Sequence, residues 1–71
     1  MVENELKKLG KRIRKIRLSN KMTLTQLAAF CDFEKSNMAR IENRKTNPTY
    51  KTLYKIAKAL SITVKELVDI S

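Results

Sequence analysis

The chain has 71 residues, 16 Lys or Arg against 7 Asp or Glu, a formal charge of +9, one Cys and no His. That length fits a single domain, 1–71, with no room for a separate sensor, and the cysteine and histidine counts exclude an internal disulfide or a Cys/His metal site. With nothing evident to do acid–base chemistry near neutral pH, the charge points to a polyanion-binding protein rather than an enzyme, with no cofactor and no metal.

The first predicted element runs from about Asn4 to Ser19, where Leu6, Leu9, Ile13 and Ile16 recur at helical spacing and Asn4 is the expected N-cap. Gly10 within it costs about 1 kcal/mol relative to Ala and permits close helix contact. The polar faces carry Lys7, Lys8, Lys11, Arg12, Arg14, Lys15 and Arg17. Without Trp or Phe on its narrow apolar stripe, this reads as a core helix with a solvated basic back rather than a membrane-surface helix. No apolar run approaches the roughly 18 residues of a membrane span and no signal-peptide core is present, so a cytoplasmic protein without membrane contact is expected.

Thr23 to Arg44 reads as two short helices joined by a tight corner. Thr23 and Gln26 form a capping box, and Leu24, Leu27, Ala28 and Cys31 share one apolar face. The lone Cys31 is expected as a small buried apolar residue. Asp32 tolerates a left-handed corner, and Phe33 supplies an apolar plug before the second helix, whose Met38 and Ile41 face inward. Lys35, Ser36, Ala39, Arg40 and Asn43 fall on the opposite side as one stripe. Basic, amide and small side chains in that arrangement suit the floor of a DNA groove. Phe30 is expected at least partly exposed, without a role that the sequence supplies.

The segment after Asn43 is a loop, with Arg44 and Lys45 placed to grip phosphates. Thr49 caps a helix over Tyr50 to Leu60, with Leu53, Ile56, Ala57 and Leu60 inward and Lys51, Lys55 and Lys58 outward. A second capping box, Thr63 with Glu66, opens a last helix from Val64 to about Ile70. Val64, Leu67, Val68 and Ile70 are more apolar surface than so short a helix hides in a small domain, which suggests the interface of a twofold homodimer.

Taken together, RIRKIR at Arg12–Arg17, TLTQLA at Thr23–Ala28, the IEN of Ile41–Asn43 and the following NPTYKTLYKIAKAL resemble the Cro and phage-repressor type of helix-turn-helix domain, the Xre-like family of bacterial transcription regulators. The resemblance spans roughly Leu6 to Leu67. It implies an all-α, five-helix bundle that binds a palindromic operator in double-stranded DNA as a dimer, its third helix in the major groove and its half-sites about one helical turn apart. Carried over by position, it makes Lys35, Ser36 and Arg40 base-reading residues flanked by Asn37 and Ala39. Thr23 and the Leu24 amide become a phosphate clamp, and Asn43, Lys45 and Asn47 backbone contacts. Arg17 and Glu42 match an internal ion pair, whereas the residues alone would also admit Arg17 as a DNA contact.

Some residues depart from the family pattern. Leu24 stands where a phosphate-contacting Gln is common, Lys21, Asp32 and Arg44 stand where glycines are usual, and Glu34 replaces the Ser or Thr that caps the reading helix. Asp32 and Glu34 also offer a weak acidic patch for RNA polymerase. The expected function is a sequence-specific, autoregulatory transcription regulator. Alternatives are a restriction-modification controller or antitoxin of the same fold, a module binding an acidic partner through its first helix, or an RNA binder using Phe30, Tyr50 and Tyr54.

Overall fold

Most of the helices begin or end on a local device that the sequence supplies. A computed structural model of the chain describes residues 3–43 and 47–69. Within them the backbone forms α1 (Glu3–Ser19), α2 (Leu24–Phe30), α3 (Lys35–Glu42), α4 (Tyr50–Ala59) and α5 (Val64–Leu67), and no strand occurs among the described residues.

At the start of α2, Thr23 Oγ1 accepts from the Gln26 amide at 3.0 Å while Gln26 Oε1 accepts from the Thr23 amide at 2.8 Å. Thr63 and Glu66 repeat this reciprocal box at α5, both bonds at 3.1 Å, and Thr49 caps α4 through the Thr52 amide at 3.2 Å. Two orphan amides are satisfied at each box, which fixes where these short helices begin.

Three helices end alike. After α1, α2 and α4 the chain turns through a left-handed residue, Lys21 (φ 56°), Asp32 (φ 58°) and Ser61 (φ 60°). Their amides bond back to the carbonyls of Leu18, Ala29 and Lys58, and the next amides, of Met22, Phe33 and Ile62, reach Arg17, Ala28 and Ala57. This paired pattern is the Schellman motif, and its hydrophobic member is present each time, since Met22, Phe33 and Ile62 pack on the core. None of the three left-handed positions is glycine, at a strain of about 1 kcal/mol each.

One core joins the helices: Leu9 and Ile13 of α1, Leu27 and Ala28 of α2 with Cys31, Met38 and Ile41 of α3, Leu53, Ile56 and Ala57 of α4 with Leu60, and Leu67 of α5. α3 lies between α1 and α2, and α5 closes over α1 and α4.

Three expectations need correction. Asn4 is inside the first turn of α1, because the helix already includes Glu3, so it does not cap it. α5 is a single turn ending at Leu67 with Val68 as its C-cap, not a helix to Ile70, which lies outside the described residues. Leu67 is fully buried in its own protomer, leaving only half-buried Val64 and Val68 of the described interface candidates at the surface. The reason is the seat of α5 over α1 and α4, which gives the Leu67 side chain a place in the core; Arg12 Nε donates to the Glu66 carbonyl at 2.9 Å beside it and ties the turn to α1.

The second capping box also shifts a titration. The Thr63 amide, then the Thr63 hydroxyl, and less strongly the Arg12 charge hold the Glu66 carboxyl below its usual 4.5. Because the folded value is the lower one, its contribution to stability is complete above the unfolded pKa and is lost as pH falls through the folded value. An NMR titration of the Glu66 carboxyl should give a midpoint below 4.5, and Thr63→Val should move it only part of the way back, since the amide bond remains.

Candidate nucleic-acid interface

α3 is two turns long and would not persist alone, so the position of its exposed face depends on what holds its buried one. Met38 and Ile41 anchor that side in the core. Its C-terminal end is gripped by α1: Arg17 Nε donates to Glu42 Oε2 at 2.7 Å and Arg17 Nη2 to Glu42 Oε1 at 3.1 Å. Arg17 Nη1 donates to the Met22 carbonyl at 2.9 Å, so one guanidinium ties together α1, the α1–α2 corner and α3. Both side chains of the ion pair are over 90% buried, which removes Arg17 from any role at the surface. Beside this pair, Gly10 lets the backbones touch. A Cβ there would sit 2.4 Å from the Glu42 carbonyl oxygen and 3.0 Å from that of Ile41.

So seated, α3 presents Lys35, Ser36, Asn37 and Arg40 exposed, with Ala39 half-buried among them. Glu34 makes no side-chain cap, so the first amides of α3 are left without the threonine hydroxyl that caps α2, α4 and α5. Asn43, exposed, ends α3, its amide bonding to Ala39 at 2.9 Å. Across from α3, the approach to α4 completes a cleft with Asn37 and Arg40 on one wall, Asn47, Pro48, Thr49 and Thr52 on the other, and Phe33 and Ile41 beneath. From the sequence Thr49 was read only as a helix cap and Thr52 was not singled out; the placement of both opposite Arg40 depends on the whole bundle. At the other end, Thr23 is exposed and Leu24 half-buried, packed on the core. Arg44 and Lys45 lie outside the described residues.

The remaining sulfur chemistry is inert. Burial pushes the Cys31 thiol up, with Lys55 opposing weakly, so the thiol stays protonated. Lys55 itself lies with its Nζ 5.5 Å from the centre of the Phe33 ring.

Two short helices at a fixed corner, the second exposing a basic and amide face beside an open cleft, define a helix-turn-helix nucleic-acid-binding module. The chain belongs to the helix-turn-helix family, whose model matches residues 13–67, and with it to the Xre-like group of DNA-binding regulators. It is similar to the immunity repressor protein of Bacillus phage phi105, at 40% identity over 60 residues that cover 84% of this chain and 42% of the repressor. A second relative is control protein C.BamHI of Bacillus amyloliquefaciens, 36% identical over 61 residues, 84% of this chain and 75% of that protein. Among solved structures, the restriction-modification controller protein C.AhdI from Aeromonas hydrophila superposes with a TM-score of 0.88 at 28% identity, over 90% of this chain and 97% of that one. The chain thus spans less than half the length of the phage repressor it matches.

Gly10→Ala should lower stability by about 1–3 kcal/mol, because the obstructing atoms are backbone and α1 and α3 must separate; this outweighs the gain in helix propensity. Thermal unfolding of the variant beside Arg14→Ala, whose side chain is exposed, is the check.

Proposed function

We propose that this chain is a transcription regulator that places α3 in the major groove of a palindromic operator and acts as a homodimer in the cytoplasm. The supporting observation is the face of Lys35, Ser36 and Arg40, exposed together on a helix whose other side is locked by Arg17, Glu42 and Gly10. In this reading Arg40 and Lys35 donate to guanine O6 and N7, Ser36 pairs with a base edge, and Ala39 gives close approach. Asn37, Asn43 and Asn47 contact phosphates, as do Thr23, whose hydroxyl proton is free of the capping bond, and the amide of Leu24. Arg44 and Lys45 add phosphate contacts after α3. The domain is one unit, 1–71, and the dimer face is built around Val64 and Val68, half-buried on α5 and its cap.

Regulation by such a chain acts through its own concentration and through blocking or recruiting RNA polymerase at its operator. It is a binding module and not an enzyme, having no histidine for acid–base work near neutral pH. The similarity to the controller proteins C.AhdI and C.BamHI supports a restriction-modification controller as the second reading.

Binding-site selection with the full chain should return a short palindrome. Arg40→Ala should relax one base position per half-site, about 1–3 kcal/mol of discrimination, whereas Lys45→Ala should weaken all sequences alike and flatten the salt dependence. An unchanged preference in Arg40→Ala would sink the assignment of α3 as the reading helix.

A further inference from the structure

A second groove lies away from α3. It is lined by Phe30, Cys31 and Asp32 at the end of α2 and by Lys51, Tyr54, Lys55, Lys58 and Ala59 along α4, with no residue of the base-reading face among them. The Phe30 ring is 72% exposed and Tyr54 51%, although Phe30 closes a helix whose neighbours Leu27 and Ala28 are fully in the core. Single exposed rings need no explanation, but two of them bordering a hollow over small Cys31 and Ala59, with three lysines alongside, form a shaped surface. Lys55 also places its Nζ over the Phe33 ring, 5.5 Å from its centre, at the edge of this groove.

We propose that this groove docks an acidic polypeptide segment, which seats one bulky apolar side chain between Phe30 and Tyr54 and sets its carboxylates against Lys51, Lys55 and Lys58. Charge complementarity selects this occupant. A second copy would bring the same three lysines face to face on two chains of +9 each. A single-stranded nucleic acid wants open rings along an unbroken cationic track, whereas Asp32 forms part of this wall and repels phosphates. Asp32 also orients the peptide, keeping its carboxylates toward the α4 side. This inference concerns a surface separate from the reading helix and stands without it.

The probe is a fluorescein-labelled synthetic helix of glutamates carrying two leucines one turn apart, titrated against the full chain by anisotropy and by amide NMR shifts. Shifts should concentrate in Phe30–Asp32 and Lys51–Ala59. Phe30→Ala and Lys58→Glu should each weaken binding about tenfold or more, Phe30→Trp should restore it, and Lys7→Glu on the exposed back of α1 should change it little. Phe30 is exposed, so its variants keep the fold, which circular dichroism verifies, and operator affinity stays unchanged. Four results overturn the proposal: no binding, equal loss in Lys7→Glu, tighter Phe30-dependent binding of oligo(dT), or dissociation of a dimer by Phe30→Ala in sedimentation.

Discussion

The arrangement depends on a single buried contact, the fork of Arg17 around the Glu42 carboxylate, reinforced by the bare backbone of Gly10. A buried ion pair adds little net stability against a well-packed apolar alternative, because desolvation offsets most of the attraction. What it supplies is direction. Two parallel bonds to one carboxylate and a third to the Met22 carbonyl hold α3 at one angle relative to α1, adding direction to the anchorage that Met38 and Ile41 give this eight-residue helix. The pair also draws Glu42 inward, so the carboxylate nearest the exposed end of α3 does not oppose an approaching phosphate.

Around that contact the corners do the rest. Lys21, Asp32 and Ser61 each hold a left-handed turn that glycine would adopt without strain, and each is followed by an apolar residue that packs on the core. Burial of Met22, Phe33 and Ile62 offsets the backbone strain, and the corners are thereby coupled to the core instead of hinging freely. At the α2–α3 corner it is the packing of Phe33 on the core, whatever residue holds the left-handed position before it, that keeps the two helices at one mutual angle.

Much of this was legible because it is local. The boxes at Thr23 and Thr63, the cap at Thr49, the corner at Asp32 and the inward faces of α2, α3 and α4 are written within windows of three or four residues. The Arg17–Glu42 bond spans 25 positions and has no periodic signature; resemblance to a family supplied it. Ser61 and Ile62 were read as a plain connection and not as a left-handed corner, yet the pairs Lys21–Met22, Asp32–Phe33 and Ser61–Ile62 repeat one pattern, a polar residue then an apolar one after a helix. The last helix was read too long and Leu67 was placed at its surface for a tertiary reason: in the folded bundle Leu67 fills the core between α1 and α4, which the short apolar run alone does not reveal. Phe30 was expected at least partly exposed, without a role, and the hollow beside it exists only once α4 is folded against α2.

The distribution of charge shows why the seat of α3 matters more than its composition. Of sixteen basic residues only Lys35 and Arg40 belong to α3, while five exposed cations line the outer face of α1 and others lie along α4. Attraction to a polyanion is therefore general to the molecule and would survive a displaced α3, since it needs proximity and not alignment. Discrimination needs alignment: a bidentate arginine on guanine is worth about 1–3 kcal/mol only when its plane meets the base edge. A tilt of α3 by an ångström at its tip would thus erode sequence preference long before it eroded affinity. In the proposed reading the buried fork at Arg17, which touches no exposed face, is therefore the structural origin of the specificity assigned to Arg40.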